Sequence, residues 1–190
     1  MNNLPTGTKP LLRARLVRHV LLALGVTWLL GTSLTVGMAY YFAQKAFDRA
    51  LLDDAYAIQA RAITLFDRPV AGWKVGRVPD ALVARYGSNR LAGPIFADSI
   101  VQAEAGEAPT MPIFRDGFGA AEAEYLVRLG PLPTAFDRTW SNEDVLAYVR
   151  EIHVGIEIAS SPFAGINEHG PAVTISDFGN NNGLLIGYRI

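Results

Sequence analysis

The chain of 190 residues contains no cysteine. That absence excludes disulfides, thiolate metal sites and a cysteine nucleophile, and leaves the redox compartment open. Charge is scarce as well. Asp, Glu, Lys and Arg make up 18% of the residues and the formal net charge is −1. Without a basic excess there is no electrostatic footprint for nucleic acid, so no nucleic-acid partner is expected. Internal repeats and low-complexity tracts are absent too. Hydrophobic residues reach 50% and the mean hydropathy is positive, on the apolar side for a soluble domain. At this length one domain plus an appendage is the natural expectation.

Charge is missing altogether from Val20 to Phe42. As a helix this run measures about 35 Å at about 1.5 Å per residue, against a hydrocarbon core of about 30 Å. Lys9, Arg13, Arg15, Arg18 and His19 precede it, and Tyr40 and Tyr41 stand where an interfacial aromatic belt belongs. A signal peptide usually has a shorter apolar core, of about 7–15 residues, and Gly37-Met38-Ala39 is a weak cleavage candidate. A buried helix of a soluble core is the other competitor. The unbroken run and its basic flank favour an anchor, with the N-terminus in the cytoplasm. Lys45, Arg49 and Arg61 follow closely and blunt that asymmetry. The expected layout is a basic tail at 1–19, a transmembrane helix at 20–43, an amphipathic helix at 44–66 and a β domain at 67–190. Phe47, Leu51, Ala55 and Ile58 fall on one stripe of the amphipathic helix.

The chemistry concentrates in Gly119-Ala120-Ala121-Glu122-Ala123-Glu124-Tyr125-Leu126-Val127, joined by Glu157 between two isoleucines. On a strand, Glu122 and Glu124 share one face, and Ala121, Ala123, Tyr125, Val127 and Leu129 face the other way, into a core. Glu157 likewise faces away from the apolar side. Three converging carboxylates make a hard-oxygen site suited to Mg²⁺ or Mn²⁺. Ala, Glu and Leu also suit a helix, where residues i and i+2 diverge and no chelate forms. The local sequence leaves both readings open.

Elsewhere, Val70–Gly76 reads as a strand. Lys74 faces one side between Gly72 and Gly76, though a strand lysine is ordinarily just solvated. Leu91–Asp98 is a turn followed by an apolar segment, and 102–112 is a loop. Ser141-Asn142-Glu143-Asp144 starts a helix with Ser141 as cap. Val145, Leu146, Val149 and Ile152 would be its buried stripe, and His153 a surface or capping histidine at its end. Ala172–Ile175 reads as a strand. Asp177–Gly183 is a polar turn tolerant of positive φ, and a further strand begins at Leu184.

Two resemblances follow. Residues 11–54, with the basic flank, the single span and Phe47-Asp48-Arg49-Ala50-Leu51-Leu52-Asp53-Asp54, resemble the N-terminal membrane entry of a bacterial two-component sensor histidine kinase. Gly-Trp-Lys-Val-Gly at 72–76, Gly-Pro-Ile-Phe-Ala-Asp at 93–98, Glu-Ala-Glu at 122–124 and Ile-Glu-Ile at 156–158 stand in the order seen in the 2-keto-4-pentenoate hydratases. These are members of the fumarylacetoacetate hydrolase-like superfamily, and the resemblance runs over 54–187. It favours the strand reading of 121–129.

The resemblance implies an α+β chain: a transmembrane helix, then an incomplete, mostly-β roll with short outer helices, in a family that often forms homo-oligomers. It implies that Glu122, Glu124 and Glu157 hold one Mg²⁺ or Mn²⁺. The substrate would be a 2-hydroxy-2,4-dienoic acid, to which water is added in aromatic-compound catabolism. Lys74 and Asp98 match the acid/base positions, and Asp177 and Asn180, with the neighbouring asparagines, would orient substrate or ligands. Many relatives carry Asp-Asn-Ala-Ser where this chain has Asp177-Phe178-Gly179-Asn180. The family is cytoplasmic, whereas the span implies a single-pass bacterial inner-membrane protein. Relatives continue well past Ile190, which suggests a truncated hydratase with impaired activity. The alternatives are a membrane-anchored sensor-like fragment that binds a small acid, a non-functional remnant, or a 2-oxo-acid decarboxylase with the same triad.

Overall fold

The computed structural model describes residues 8–133 and 140–190. The first seven residues of the expected tail lie outside that range, and from Thr8 the chain is already helical. Two compact units are present, one up to Asp48 and one from Arg49 onward. The long helix α1 (Thr8–Phe66) contributes to both.

In the first unit, α1 supplies a helix long and apolar enough to cross a membrane. Leu21, Leu24, Trp28, Leu30, Leu34 and Val36 are all exposed. Three threonine hydroxyls of this stretch are turned back onto the helix. Thr27 donates to the Ala23 carbonyl, Thr32 to that of Trp28 and Thr35 to that of Gly31, each at 2.9 Å. The apolar surface is therefore interrupted by few unsatisfied polar groups, the condition hydrocarbon imposes.

In the second unit, the end of α1 carries the core. Leu52 and Ala55 pack with Val78, Tyr86, Leu91, Ala172 and Ile175. Gln59, on the same stripe, is buried and donates to the carbonyls of Ala92 (3.1 Å) and Ile175 (2.8 Å). The Tyr56 hydroxyl accepts from the Ala92 amide at 3.0 Å. The buried stripe is thus Leu52, Ala55 and Gln59, while Phe47 and Ile58 of the expected stripe are exposed. A search for apolar periodicity misses it because one member is a glutamine, satisfied by backbone far along the chain.

Two sheets follow. Strands β1 (Val70–Arg77) and β2 (Arg90–Phe96) form an antiparallel pair, with α2 (Asp80–Tyr86) between them. A four-stranded sheet has the order β3-β6-β5-β4, from β3 (Ile100–Gln102), β4 (Phe118–Leu129), β5 (Val149–Ser161) and β6 (Asn181–Arg189). Among the described strands, β3 and β6 alone pair in parallel.

Three local expectations are corrected. The Ser141 cap is real and makes a reciprocal capping box with Asp144, but α3 runs only Asn142–Leu146 and β5 begins at Val149. Val149, Ile152, Val154 and Ile156 suit a pleated surface better than a helix, so His153 lies on a strand, and Val145 and Leu146 are exposed. Residues 172–175 are helical, within α4 (Pro171–Ser176). Gly170, at φ 82, turns the chain, and Pro171 at the first turn presets a helical φ. Finally, the apolar face of β4 is open. Tyr125 is 74% and Val127 52% exposed, and their partners Val154 and Ile152 are not buried either. Alternation separates the two faces correctly, but the β1–β2 pair and the 177–180 turn stand on the acidic one.

Candidate metal centre

Strand β4 runs opposite β5 in a register that pairs Glu122 with Glu157. Paired residues of an antiparallel ladder project from the same face, and Glu124, two residues on from Glu122, joins them. The three carboxylates bring one oxygen each to within 4.8 Å of one another. Glu157 is buried, 4% exposed, whereas Glu122 and Glu124 reach solvent.

Strand β1 presents Lys74 to this group. Its Nζ is 3.1 Å from Glu157 Oε1, and both side chains are almost fully buried. The same Nζ donates to Asn180 Oδ1 at 3.1 Å. Lys74 is therefore not the solvated strand lysine that base chemistry favours. Its burial is offset by an ion pair and a hydrogen bond. The turn at Phe178–Asn180 makes this possible. Phe178, Gly179 and Asn180 all have positive φ, at 54°, 68° and 57°. The turn closes on β2 so tightly that a Cβ at Gly93 would lie 2.1 Å from the Phe178 carbonyl oxygen. Phe178 anchors it in a cluster with Phe66 and Phe96.

Burial, with the Glu122 charge adding to it, pushes the Glu157 carboxyl above its ordinary value, while Lys74 and Asn181 pull the other way. Asn181 was not singled out by its type alone. It is 8% exposed and its Nδ2 donates to Glu157 Oε1 at 3.0 Å, while its Oδ1 is buried without a hydrogen-bond partner. An unmet buried acceptor ordinarily costs about 1–3 kcal/mol. The one signal in the sequence was its place in a run of three asparagines.

Asp98 and Asp177, the other expected site residues, fall outside this cluster. Asp98 lies in the turn Ala97–Ser99, and its carboxylate is bound by Arg68. Lys74 pairs with Gly93, and β2 runs on from there to Phe96, about 10 Å at about 3.3 Å per residue, before Asp98 is reached. Arg68 also stacks on Phe66 and Phe96. Its hydrogen bond, with its charge adding to it, holds the Asp98 carboxyl below the ordinary value. Asp177 ends α4, and its Oδ2 is buried with no hydrogen-bond partner. His153 sits further along β5, with Nδ1 3.1 Å from the Gly187 carbonyl oxygen and Nε2 3.5 Å from Glu151.

The donor set suits a divalent cation. Oxygens on opposite sides of one Mg²⁺ lie about 4.2 Å apart at about 2.1 Å per bond, and somewhat farther apart around Ca²⁺. Oxygens within 4.8 Å of one another match the wider Ca²⁺-like spacing and stand slightly open for Mg²⁺, and all three donors are hard oxygens.

This mixed α/β unit, with its three-carboxylate face and the lysine of β1 set against it, has the fold of part of a larger solved enzyme. The particular likeness is to 4-oxalocrotonate decarboxylase from Pseudomonas putida G7 complexed with magnesium and adipate. It has a TM-score of 0.51 and 19% identity over 72% of this chain and 51% of that one. The same enzyme complexed with calcium and acetate aligns with a TM-score of 0.49 and 18% identity, over 72% of this chain and 50% of that one. The chain thus spans about half the length of the decarboxylase it matches. At this identity the likeness concerns the fold alone. No family model matches the chain, and no curated protein matches it.

Proposed function

We propose that the second unit is a divalent-metal-dependent catalytic module for small 2-oxo or 2-hydroxy-dienoic acids. In this reading it is a hydratase, converting a 2-hydroxy-2,4-dienoate to a 4-hydroxy-2-oxo acid. The observation that carries the reading is the meeting of Glu122, Glu124 and Glu157 within 4.8 Å, with the Lys74 ammonium 3.1 Å from Glu157. Glu122, Glu124 and Glu157 would hold Mg²⁺ or Mn²⁺, and a bound cation supplies Lewis acidity toward the substrate's 2-oxygen.

The chain's own residues supply the rest. The net negative cluster repels a carboxylate substrate unless a cation is present, so metal and acid bind together. Hydration moves the 2-hydroxyl proton to the terminal carbon. Water then adds across the double bond conjugated to the 2-oxo group, leaving hydroxyl on C4 and a proton on C3. The Lys74 ammonium would give a proton to the substrate carbon and be recharged from the 2-hydroxyl or from water. Asn180 keeps that ammonium aimed at the acids. Asp98, held by Arg68, stays outside the arrangement, so the proton work falls to Lys74. Asp177 and Asn180 border the turn over which a substrate would lie. The helix over 20–43 anchors the chain in a membrane, a reading supported by its length and its exposed apolar surface.

A second reading, decarboxylation of a 2-oxo acid, is favoured by the nature of the structural neighbour. The same cation and lysine would stabilise the enolate left by loss of CO₂. One experiment separates the two. The full chain in detergent micelles with Mg²⁺ is given 2-hydroxypenta-2,4-dienoate, and separately 4-oxalocrotonate. Loss of the dienoate chromophore without CO₂ release supports hydration. CO₂ release from the second substrate supports decarboxylation, and neither change refutes both.

A further inference from the structure

Glu157 has two carboxylate oxygens, and the structure treats them differently. Oε1 receives both available donors, Lys74 Nζ at 3.1 Å and Asn181 Nδ2 at 3.0 Å. A carboxylate oxygen that already accepts two charge-assisted or buried hydrogen bonds is a poor further donor to a cation. Oε2 is left for that purpose. Lys74 alone would not fix this choice, because an ammonium on a flexible stem is a point charge able to serve either oxygen. The Asn181 amide is planar and packed, and its side chain is more than nine-tenths buried. Its donor therefore selects an oxygen as well as a residue.

The other end of the same amide carries the second observation. Asn181 Oδ1 is buried and has no hydrogen-bond partner. Nδ2 must donate to a carboxylate, so the orientation of the amide is settled by chemistry and the free atom is the acceptor. Buried acceptors are ordinarily matched. Sealed from solvent, Oδ1 stays unmet as the cost of holding the amide's donor on Glu157.

We infer that Asn181 is the positioning residue of this centre: by holding Glu157 Oε1 it leaves Oε2 for a cation shared with Glu122 and Glu124. The inference rests on the proposed metal site.

Mn²⁺ serves as the probe, read by electron paramagnetic resonance on the full chain in micelles. Two variants are compared with the parent, Asn181→Leu of similar size and Asn181→Ala with no added bulk. The expected result is Mn²⁺ affinity weakened about 10-fold or more in both, with a cooperative metal-free melt retained, though lowered by loss of a donor to the buried Glu157 carboxylate. A lowered metal-free melt with undiminished Mn²⁺ affinity would mean a merely structural asparagine and overturn the inference while leaving the metal site standing. A parent that binds no Mn²⁺ overturns the inference and the metal site together.

Discussion

Replacing Glu122 by Gln should stabilise the protein without metal and destabilise it with metal. The substitution keeps the side chain's shape and removes one charge from oxygens that lie within 4.8 Å of one another. Two unit charges at that separation repel by roughly 3.5 kcal/mol at an effective dielectric constant of about 20, and by roughly 0.9 kcal/mol in water. Glu122 reaches solvent while Glu157 is buried, so relief of about 1–2 kcal/mol is expected in excess chelator. Saturating cation reverses the balance. A single-site ligand at 100 times its Kd stabilises the folded state by about 2.7 kcal/mol. Much of that is lost when one of three carboxylates goes. The assay is a pair of thermal melts by circular dichroism, on the full chain in micelles, in chelator and in Mg²⁺. One kcal/mol corresponds to a shift of roughly 2–8 °C in Tm. The variant should melt a few degrees above the parent in chelator and a few degrees below it in Mg²⁺. Shifts of the same sign in both conditions would refute the reasoning, because the acids would then not share a cation.

Other consequences are as direct. Gly93→Ala places a Cβ 2.1 Å from the Phe178 carbonyl oxygen, a backbone clash that should cost about 2–4 kcal/mol. The clash should also lift Asn180 off Lys74, read as a lower metal-free Tm. Arg68→Ala frees Asp98, whose carboxyl Arg68 holds below its ordinary value. A depressed folded-state carboxyl stabilises above its unfolded value of 3.8 and loses that contribution as pH falls through the folded value. The melting difference between parent and Arg68→Ala should therefore shrink as pH is lowered from about 5 toward 2. A difference that grows on acidification contradicts the pairing. Leu29→Arg puts a charge at the middle of the exposed apolar helix, at about 2.5–3.5 kcal/mol for membrane insertion. It should shift the chain out of the carbonate-resistant membrane fraction, and an unchanged fraction would count against a membrane span.

The acidic pair at 122 and 124 was legible because a period of two is a property of the strand itself, and the structure puts residues 118–129 on one. That Glu157 would stand opposite Glu122 is a matter of register, which the resemblance suggested and local sequence does not encode. Which face is covered was not legible either. Alternation predicted Tyr125 and Val127 inside, yet the covered face is the one holding Glu157, because Lys74 and Asn181 satisfy it there. The lysine's burial depends on the turn at 178–180, whose positive φ values fall on a phenylalanine as well as on residues suited to them. The Asp98 pairing with Arg68 and the role of Gln59 are contacts across 30 and 116 residues, beyond the reach of any local pattern. The helix misplaced at 147–152 and the strand misplaced at 172–175 show the same limit. A true capping box and a β-branched run each gave a correct local signal, and tertiary pairing or a proline at the first turn decided the element.

The central claim is that Glu122, Glu124 and Glu157 hold one divalent cation. Counting Mn²⁺ bound per chain by electron paramagnetic resonance, on the full chain in micelles, tests it most directly. One tightly bound ion per parent chain, displaced by Mg²⁺ and absent from Glu124→Ala, is the result predicted. No bound ion, or an ion retained undiminished in Glu124→Ala, would contradict it.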